Sequence, residues 1–410
     1  MKKILVGLLC VGMLIGCGPT RNKVEAQKVI IENKIEYENS NYVSYVDLTD
    51  IKTDIEVVNK KLKGHFTKYI QYVAPNGKPI NIVASDKVSD EQVLKAYNVL
   101  SFYLTSHKSY DMDKVANELA DTGAILMMPN GADGQSSVKQ SILYGQPLYQ
   151  NETPVTGDVW YINNNYEHRD ASYEEILHMV HDNGIGTSAN KGVQPELQKI
   201  IQNAQENALP KSKSDWGQKG LWGYGSKDWL VELSKEGSLE QEYIVSVLDS
   251  YYGLWSAFDG NGGMWGIYTA KDRQEVQDKD PMGLKALESF LPEYFTYMDR
   301  LSPDFEGTFE LTLNKELPYT YKSQYINNIR LTGEKNTNVN ANNRDNIIIG
   351  NKGNNTIDGK EGIDVVQFTG ASTEYEISNY KVKDTLGRDG TDTLKNIEIL
   401  RFTDKDVQLN

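Results

Sequence analysis

The stretch from Arg344 to Val366 reads RDNIIIGNKGNNTIDGKEGIDVV and contains three units whose first residues are spaced nine positions apart. Each unit has an oxygen-bearing side chain at one fixed position and an apolar side chain two positions later. The glycines between these positions permit tight turns. A period of nine residues with these features predicts short parallel strands that coil around a narrow apolar core. The C-terminal part of the chain is therefore predicted to be a small all-β solenoid.

The oxygen-bearing positions of the three units are Asn346, Asn355 and Asp364. In a parallel β-roll of this period, such side chains bind Ca²⁺ at the turns while the apolar positions fill the core. We therefore expect Ca²⁺ to be a cofactor of this part of the chain, with these three residues as ligands. The predicted core positions are Ile348, Ile357 and Val366.

The residues after the repeats extend the pattern. Gly390–Phe402 reads GTDTLKNIEILRF and looks like the β segment that follows such repeats in exported bacterial proteins. Residues 336–410 as a whole resemble the repeats-in-toxin (haemolysin-type) family, which implies a calcium-binding β-roll. Two of the three expected aspartates are asparagine, and Arg344 replaces an expected glycine. A neutral carbonyl is a weaker calcium ligand than a carboxylate, so the alternative is a roll that keeps the fold but binds one ion weakly or none.

Composition changes near residue 330, because all six Trp and all five His precede it. Residues 50–325 alternate between helical and strand patterns, with more helix than strand. We therefore predict an α+β multidomain protein in which a helix-rich domain at 50–325 precedes a β-roll tail at 336–410. The elements predicted in the larger domain are strands at Pro79–Ala84 and Asp158–Ile162 and helices at Ser89–Leu104, Ser172–Asp182, Val193–Ala208 and Leu239–Trp255.

The segment Tyr173–Asp182 reads YEEILHMVHD and carries the densest set of metal-binding residue types in the chain. On a helix, Glu174, His178 and His181 stand at offsets of zero, four and seven residues and share one narrow sector. Carboxylate and imidazole groups on one helix face can bind one ion together. The spacing therefore predicts a metal site on this helix.

The same segment resembles the zinc-protease pattern His-Glu-x-x-His with its first histidine replaced by glutamate. The resemblance, which extends to an uncharacterised family of exported zincin-like proteins, implies that Glu174 and His178 are ligands and that Glu175 is the general base. It also implies a third ligand on a later helix, for which Glu242 is the best-placed residue. A carboxylate in place of the first histidine makes a harder site, suited to Zn²⁺ or to another divalent transition metal such as Mn²⁺ or Fe²⁺.

The alternative for this segment is structural. Ser172 and Glu175 have the spacing of a capping box, in which Ser172 caps the helix and Glu175 reaches back to its amide. Glutamates in a first turn also stabilise the helix dipole. In this interpretation the histidines only pack against neighbouring residues.

The N-terminus has a short basic start and about a dozen apolar residues, which predicts a signal peptide at residues 1–16. It ends in Leu-Ile-Gly-Cys, which resembles the bacterial lipoprotein processing box and implies lipidation of Cys17. Gly18 after this cysteine favours the outer membrane or cell surface. Residues 17–49 are then a lipidated, flexible tether, and the lipid bilayer is a partner.

A net charge of −14 argues against binding to nucleic acid, which needs a basic face. Together, these features predict a membrane-anchored extracytoplasmic lipoprotein. It would bind calcium through its tail and would carry a metal-dependent, peptidase-like hydrolase domain that acts on peptide or envelope substrates. The alternative is a non-enzymatic calcium-binding surface protein with a metal-free middle domain.

Overall fold

The computed structural model describes residues 35–37, 40–108, 110–167 and 169–409, and its class is mixed α and β, as the sequence predicts. The predicted signal peptide, Cys17 and much of the tether lie outside the described residues. The helices of the described residues are α1 (Asp90–Tyr103), α2 (Met112–Thr122), α3 (Val159–Asn163), α4 (Ser172–Val180), α5 (Pro195–Ala208), α6 (Lys227–Glu236), α7 (Leu239–Tyr251), α8 (Arg273–Lys279), α9 (Pro281–Phe290) and α10 (Thr320–Ser323).

The described strands form three sheets. Their bounds are β1 (Ile35–Tyr37), β2 (Lys68–Val73), β3 (Pro79–Ala84), β4 (Ile125–Met128), β5 (Gln146–Pro147), β6 (Phe295–Arg300), β7 (Thr308–Glu310), β8 (Ile326–Arg330), β9 (Asn338–Asn340), β10 (Ile347–Ile349), β11 (Thr356–Asp358), β12 (Val365–Gln367), β13 (Tyr375–Ser378), β14 (Lys381–Asp384), β15 (Thr391–Lys395), β16 (Ile399–Arg401) and β17 (Asp406–Gln408).

A four-stranded sheet in the order β2-β3-β4-β5 belongs to the N-terminal half. The β2–β3 pair is antiparallel and the other two pairs are parallel. Helix α1 connects β3 to α2 and begins with a capping box at Ser89, whose hydroxyl accepts the Gln92 N–H. The predicted strand at Pro79–Ala84 and the predicted capped helix after it are both confirmed.

The C-terminal strands form two sheets between which the chain alternates. From β6 to β12, each even-numbered strand joins one sheet, in the order β6-β8-β10-β12, and β16 continues it. The odd-numbered strands join the other sheet, in the order β7-β9-β11, continued by β15. All neighbours in these two runs pair in parallel. The remaining strands at the sheet ends, β1, β13, β14 and β17, pair antiparallel.

The three predicted core positions lie at the centres of β10, β11 and β12 and are each 0% exposed, namely Ile348, Ile357 and Val366. Ile348 pairs with Val366 in one sheet, while Ile357 pairs with Leu394 in the other. Two nine-residue units therefore make one full turn. We call these winding parallel strands, β6–β12 with β15 and β16, the coil.

The coil begins at Phe295, well before the repeats. Strands β6 and β7 precede residue 325, yet they pair with β8 and β9. Both sheets thus continue across residues 325–336, where the sequence indicates a domain boundary, and the described residues belong to a single compact unit. Arg300 of β6 also pairs with Glu91 of α1 across a distance of 2.7 Å, which ties the coil to the helical part.

Two local predictions are wrong. Asp158–Ile162 is not a strand, because Asp158 caps helix α3 and its Oδ1 accepts the Tyr161 N–H at 2.6 Å. The cap outweighs the strand preference of this short apolar run. The capping box at Ser172 does not form either, because the Ser172 hydroxyl donates to Asp170 at 2.5 Å and Ala171 occupies the cap position.

Candidate metal centre

Helix α4 carries the candidate ligands and is fixed by the packing of its apolar side. Ile176, Leu177 and Val180 are buried, and Tyr173 is stacked on Phe295 of β6 with ring centroids 5.0 Å apart. The helix also packs against α1 and α7. The packing of these apolar residues fixes the rotation of α4 about its axis. Glu174, Glu175 and His178 are therefore held together at one side of the helix.

Glu174, Glu175 and His178 each offer one donor atom, and these atoms all lie within 4.8 Å of one another. The group could hold a metal ion, since carboxylate and imidazole donors suit divalent transition metals. Glu174 is 4% exposed, whereas the other two are partly buried. Three of the five residues that the sequence suggests for this site therefore cluster on α4 itself.

Glu242 of α7 approaches the opposite side of the His178 ring. Its Oε1 lies 3.7 Å from His178 Nε2, and Glu175 Oε2 lies 3.7 Å from His178 Nδ1. Burial opposes a charged imidazole, but the two flanking carboxylates outweigh it and raise the pKa of His178. Burial also raises the pKa of Glu242. The imidazole is thus held between two carboxylates that come from different helices.

His181 takes a different place. It is 0% exposed, and its Nε2 lies 2.7 Å from the side-chain amide of Gln198 on α5. When the Gln198 side-chain nitrogen faces the His181 ring, it donates one hydrogen bond to His181 Nε2 at 2.7 Å and another to the Gly186 carbonyl at 2.8 Å. Burial lowers the pKa of His181 to about 4, so the ring is neutral at pH 7. In the part of the chain that the structure describes, His181 is not among the clustered donor atoms.

Three neighbouring residues were not found by sequence reasoning. Arg169 forms an ion pair with Glu174, and Gln146 donates to Glu175 Oε2 at 2.6 Å. Asp249 is 1% exposed, and burial raises its pKa to about 7. Asp249 follows Glu242 by seven residues on α7, so helical spacing could have indicated that the two share a face. Nothing in the local sequence indicates Arg169 or Gln146.

The predicted calcium ligands fall in two rows rather than in one site. Asn346 and Asp364 precede β10 and β12 of one sheet, and the Asn346 N–H donates to Asp364 Oδ1 at 2.9 Å. Asn355 precedes β11 of the other sheet, where its N–H donates to Oδ1 of Asp392, also at 2.9 Å. Asp392 is therefore the counterpart of Asp364, and it was missed because 28 residues, not nine, separate them.

Both aspartates keep one buried oxygen without a hydrogen-bond partner among the described residues. Burial raises the pKa of Asp364 to about 7 and that of Asp392 to about 8. The Asn346 and Asn355 side-chain amides instead donate to backbone carbonyls of the preceding turn, at 2.7 Å each. Asparagine thus ties adjacent turns together by hydrogen bonds, while each aspartate leaves an oxygen that could accept a cation.

No protein-family model, curated protein or solved structure matches this chain. Within the described residues, no helix is both long enough and apolar enough to cross a bilayer.

Proposed function

We propose that the protein is an extracytoplasmic metal-dependent hydrolase of the peptidase type, acting on peptide or envelope substrates. Glu174, His178 and Glu242 would hold a divalent metal, and Glu175 would be the general base. The proposal is carried by the clustering of donor atoms from Glu174, Glu175 and His178 within 4.8 Å of one another, with Glu242 Oε1 a further 3.7 Å from His178 Nε2.

The donor set fits a divalent transition metal. Atoms bound to one ion at about 2 Å lie at most about 4 Å apart. The 3.7 Å separation of His178 Nε2 from Glu242 Oε1 meets this limit, and the donor atoms of Glu174, Glu175 and His178, within 4.8 Å of one another, would draw closer around a bound ion. A bound cation would compete with Arg169 for the Glu174 carboxylate. Two carboxylates and one imidazole suit Zn²⁺, Mn²⁺ and Fe²⁺.

Each residue of the cluster has a defined task in hydrolysis. A metal held by Glu174, His178 and Glu242 would supply a nucleophile at neutral pH by lowering the pKa of water. Glu175 accepts the proton of the attacking water and returns it to the leaving group. Gln146 orients Glu175 through its 2.6 Å hydrogen bond. Arg169 balances the negative charge of Glu174.

A metal-free middle domain is the rival, and the ion pair between Arg169 and Glu174 favours it. In that case the arginine alone compensates the buried Glu174 carboxylate, which would otherwise be costly. His178 would be protonated between its two carboxylates, and the protein would be a non-enzymatic calcium-binding surface protein.

Metal content separates the two functions. We expect the purified protein to bind about one equivalent of transition metal, and His178→Ala and Glu242→Ala to lose most of it, because each removes one donor. Inductively coupled plasma mass spectrometry measures the bound metal. His65→Ala is the matched control, since His65 lies outside the cluster. Wild-type protein that stays metal-free after reconstitution would support the rival.

Calcium binding by the C-terminal tail is part of the proposal, with the alternating parallel strands forming a β-roll. The buried, unpartnered oxygens of Asp364 and Asp392 support it, because a Ca²⁺ ion offers such oxygens a partner. Asn346 Oδ1, in the row of Asp364, is likewise buried without a partner among the described residues. The Asp364 row is therefore the better candidate for an ion.

We expect millimolar Ca²⁺ to raise the melting temperature of the wild-type protein by about 5 °C relative to EDTA, since a ligand that binds only the folded state stabilises it. Asp364→Asn should remove most of this shift. Glu334→Gln is the control, because Glu334 pairs with Lys352 and its side chain is exposed. Differential scanning calorimetry provides the measurement, and equal melting temperatures in Ca²⁺ and EDTA would mean that the roll is structural only.

The proposal also places the protein in the cell envelope, anchored to a bacterial membrane through lipid on Cys17. Its support is the sequence of the first seventeen residues, where a basic start and a short apolar run precede Gly16 and Cys17. Both the hydrolase and its rival share this location.

A further inference from the structure

A recess of about 20 Å³ is lined by Arg169, the residue that pairs with Glu174 at the metal centre. Lys322 and Asn164 also line it. A cavity of this size accommodates a water-sized group, so it could take the oxygen atoms of one small polar group but not a whole ligand.

Lys322 is a buried amine whose hydrogen-bond partners are neutral. Its Nζ donates to the Tyr161 carbonyl at 2.8 Å and to Asn164 Oδ1 at 2.6 Å. No ion pair among the described residues includes Lys322, and burial lowers its pKa to about 7. Nζ also lies 4.0 Å from the centroid of the Tyr161 ring. When protonated it has three donors, so the third can turn from this ring to a further acceptor. A buried ammonium with neutral partners is stabilised by an anion placed beside it.

Asn164 adds a donor to the same recess. Because its Oδ1 accepts from Lys322, the amide orientation is set, and Nδ2 is buried without a hydrogen-bond partner among the described residues. Asp170 also lines the recess, but its carboxylate is already engaged by Lys95 and by the Ser172 hydroxyl, at 2.5 Å each. Lys322 and Asn164 Nδ2 therefore offer donors to the recess, beside the Tyr166 hydroxyl, which is also buried without a partner among the described residues. Charge-assisted donors of this kind bind a carboxylate.

An outer groove of about 820 Å³ adjoins the recess and shares Trp160 and Tyr166 with it. Phe258 and Trp265 complete its aromatic wall, and Trp265 is 47% exposed. Grooves lined by aromatic side chains with a few polar groups at one end bind ligands that have an apolar body and a polar head.

We propose that this part of the protein binds a carboxylate whose apolar or aromatic body lies in the outer groove. Lys322, Asn164 and Arg169 hold the carboxylate, and the aromatic wall holds the body. The ligand is either a free carboxylic acid or the C-terminal carboxylate of a peptide. Binding at this site does not depend on hydrolysis, so it can be tested without an assay of activity.

Isothermal titration calorimetry with matched probes tests the site on the purified protein. The probes are 3-phenylpropionate and its amide, and a phenylalanine-ending acetyl dipeptide with either a free or an amidated C-terminus. We expect at least one carboxylate to bind about tenfold or more tightly than its amide. The probe that binds more tightly shows whether the ligand is a free carboxylic acid or the C-terminal carboxylate of a peptide. Equal affinities for acid and amide, or no binding at millimolar concentration, would overturn the proposal.

Two variants locate the binding. Lys322→Met removes the cation, and Asn164→Gly removes the amide at a position whose φ of 47° glycine adopts readily. Each should weaken carboxylate binding about tenfold, and the glycine variant provides the test if the methionine variant fails to fold. Lys68→Met is the control, because Lys68 pairs with Asp90 outside the recess. Unchanged affinity in a folded recess variant contradicts the proposal.

Discussion

Glu175→Gln is expected to lower the hydrolysis of peptide substrates by about 10²–10⁴-fold, because glutamine has the shape of glutamate but cannot accept a proton. The variant should keep its metal, since Glu174, His178 and Glu242 remain. The side chain at residue 175 should also keep its position, because its amide oxygen can still accept the hydrogen bond from Gln146 Nε2. Cleavage of a quenched fluorescent peptide library, together with metal content, measures both effects.

Glu206→Gln is the matched control, since Glu206 is exposed on α5. It should leave both the rate and the metal unchanged. If Glu175→Gln loses its metal together with its activity, Glu175 is a ligand rather than the base. Full activity in the variant would exclude Glu175 from the chemical step.

Phe295→Ala is expected to lower the free energy of unfolding by about 3–5 kcal/mol, the usual cost of removing a buried phenylalanine. Phe295 is 2% exposed, and its ring centroid lies 4.3 Å from that of Tyr252 and 5.0 Å from that of Tyr173. It is also the first residue of the coil of strands. The substitution therefore removes packing between the coil and the helix that carries the metal cluster.

Denaturant-induced unfolding followed by circular dichroism measures this effect. Tyr224→Ala serves as the control, because Tyr224 is 55% exposed and such surface changes usually cost about 0.5 kcal/mol or less. A cost for Phe295→Ala as small as that of the control would mean that the coil and the helices are not coupled through this ring. Denaturant-induced unfolding of the variant with metal present should show whether the ligand residues on α4 still bind the metal after this packing is lost.

Sequence reasoning was most successful where the signal is local. The nine-residue period placed the three core positions, Ile348, Ile357 and Val366, correctly at the strand centres, because strand alternation acts within a few residues. The spacing on α4 likewise predicted that Glu174 and His178 share a face. At the start of α4, the capping box of the structural alternative does not form, because the Ser172 hydroxyl donates to Asp170 two residues earlier.

The upstream half of the coil had no sequence signal that could be recognised. Strands β6 and β7 lack the glycine spacing of the repeats, so residues 295–310 were assigned to the larger domain. Their place in the sheets depends on pairing with β8 and β9, which follow later in the chain. Such pairing is decided by which apolar faces meet, and that information is spread over the whole chain.

The sequence by itself determined the repeat, its core positions and the clustering of carboxylates and imidazole on one helix, because each depends on the geometry of a single element. The resemblance to zinc proteases named Glu242 as a partner of His178, and the structure gives their distance as 3.7 Å. Only the tertiary structure decided that Arg169 compensates Glu174 and that Asp392 is the counterpart of Asp364. It also separated His181 from the cluster by burying it against Gln198. These outcomes depend on packing between elements far apart in the chain, where burial and charge compensation outweigh local spacing.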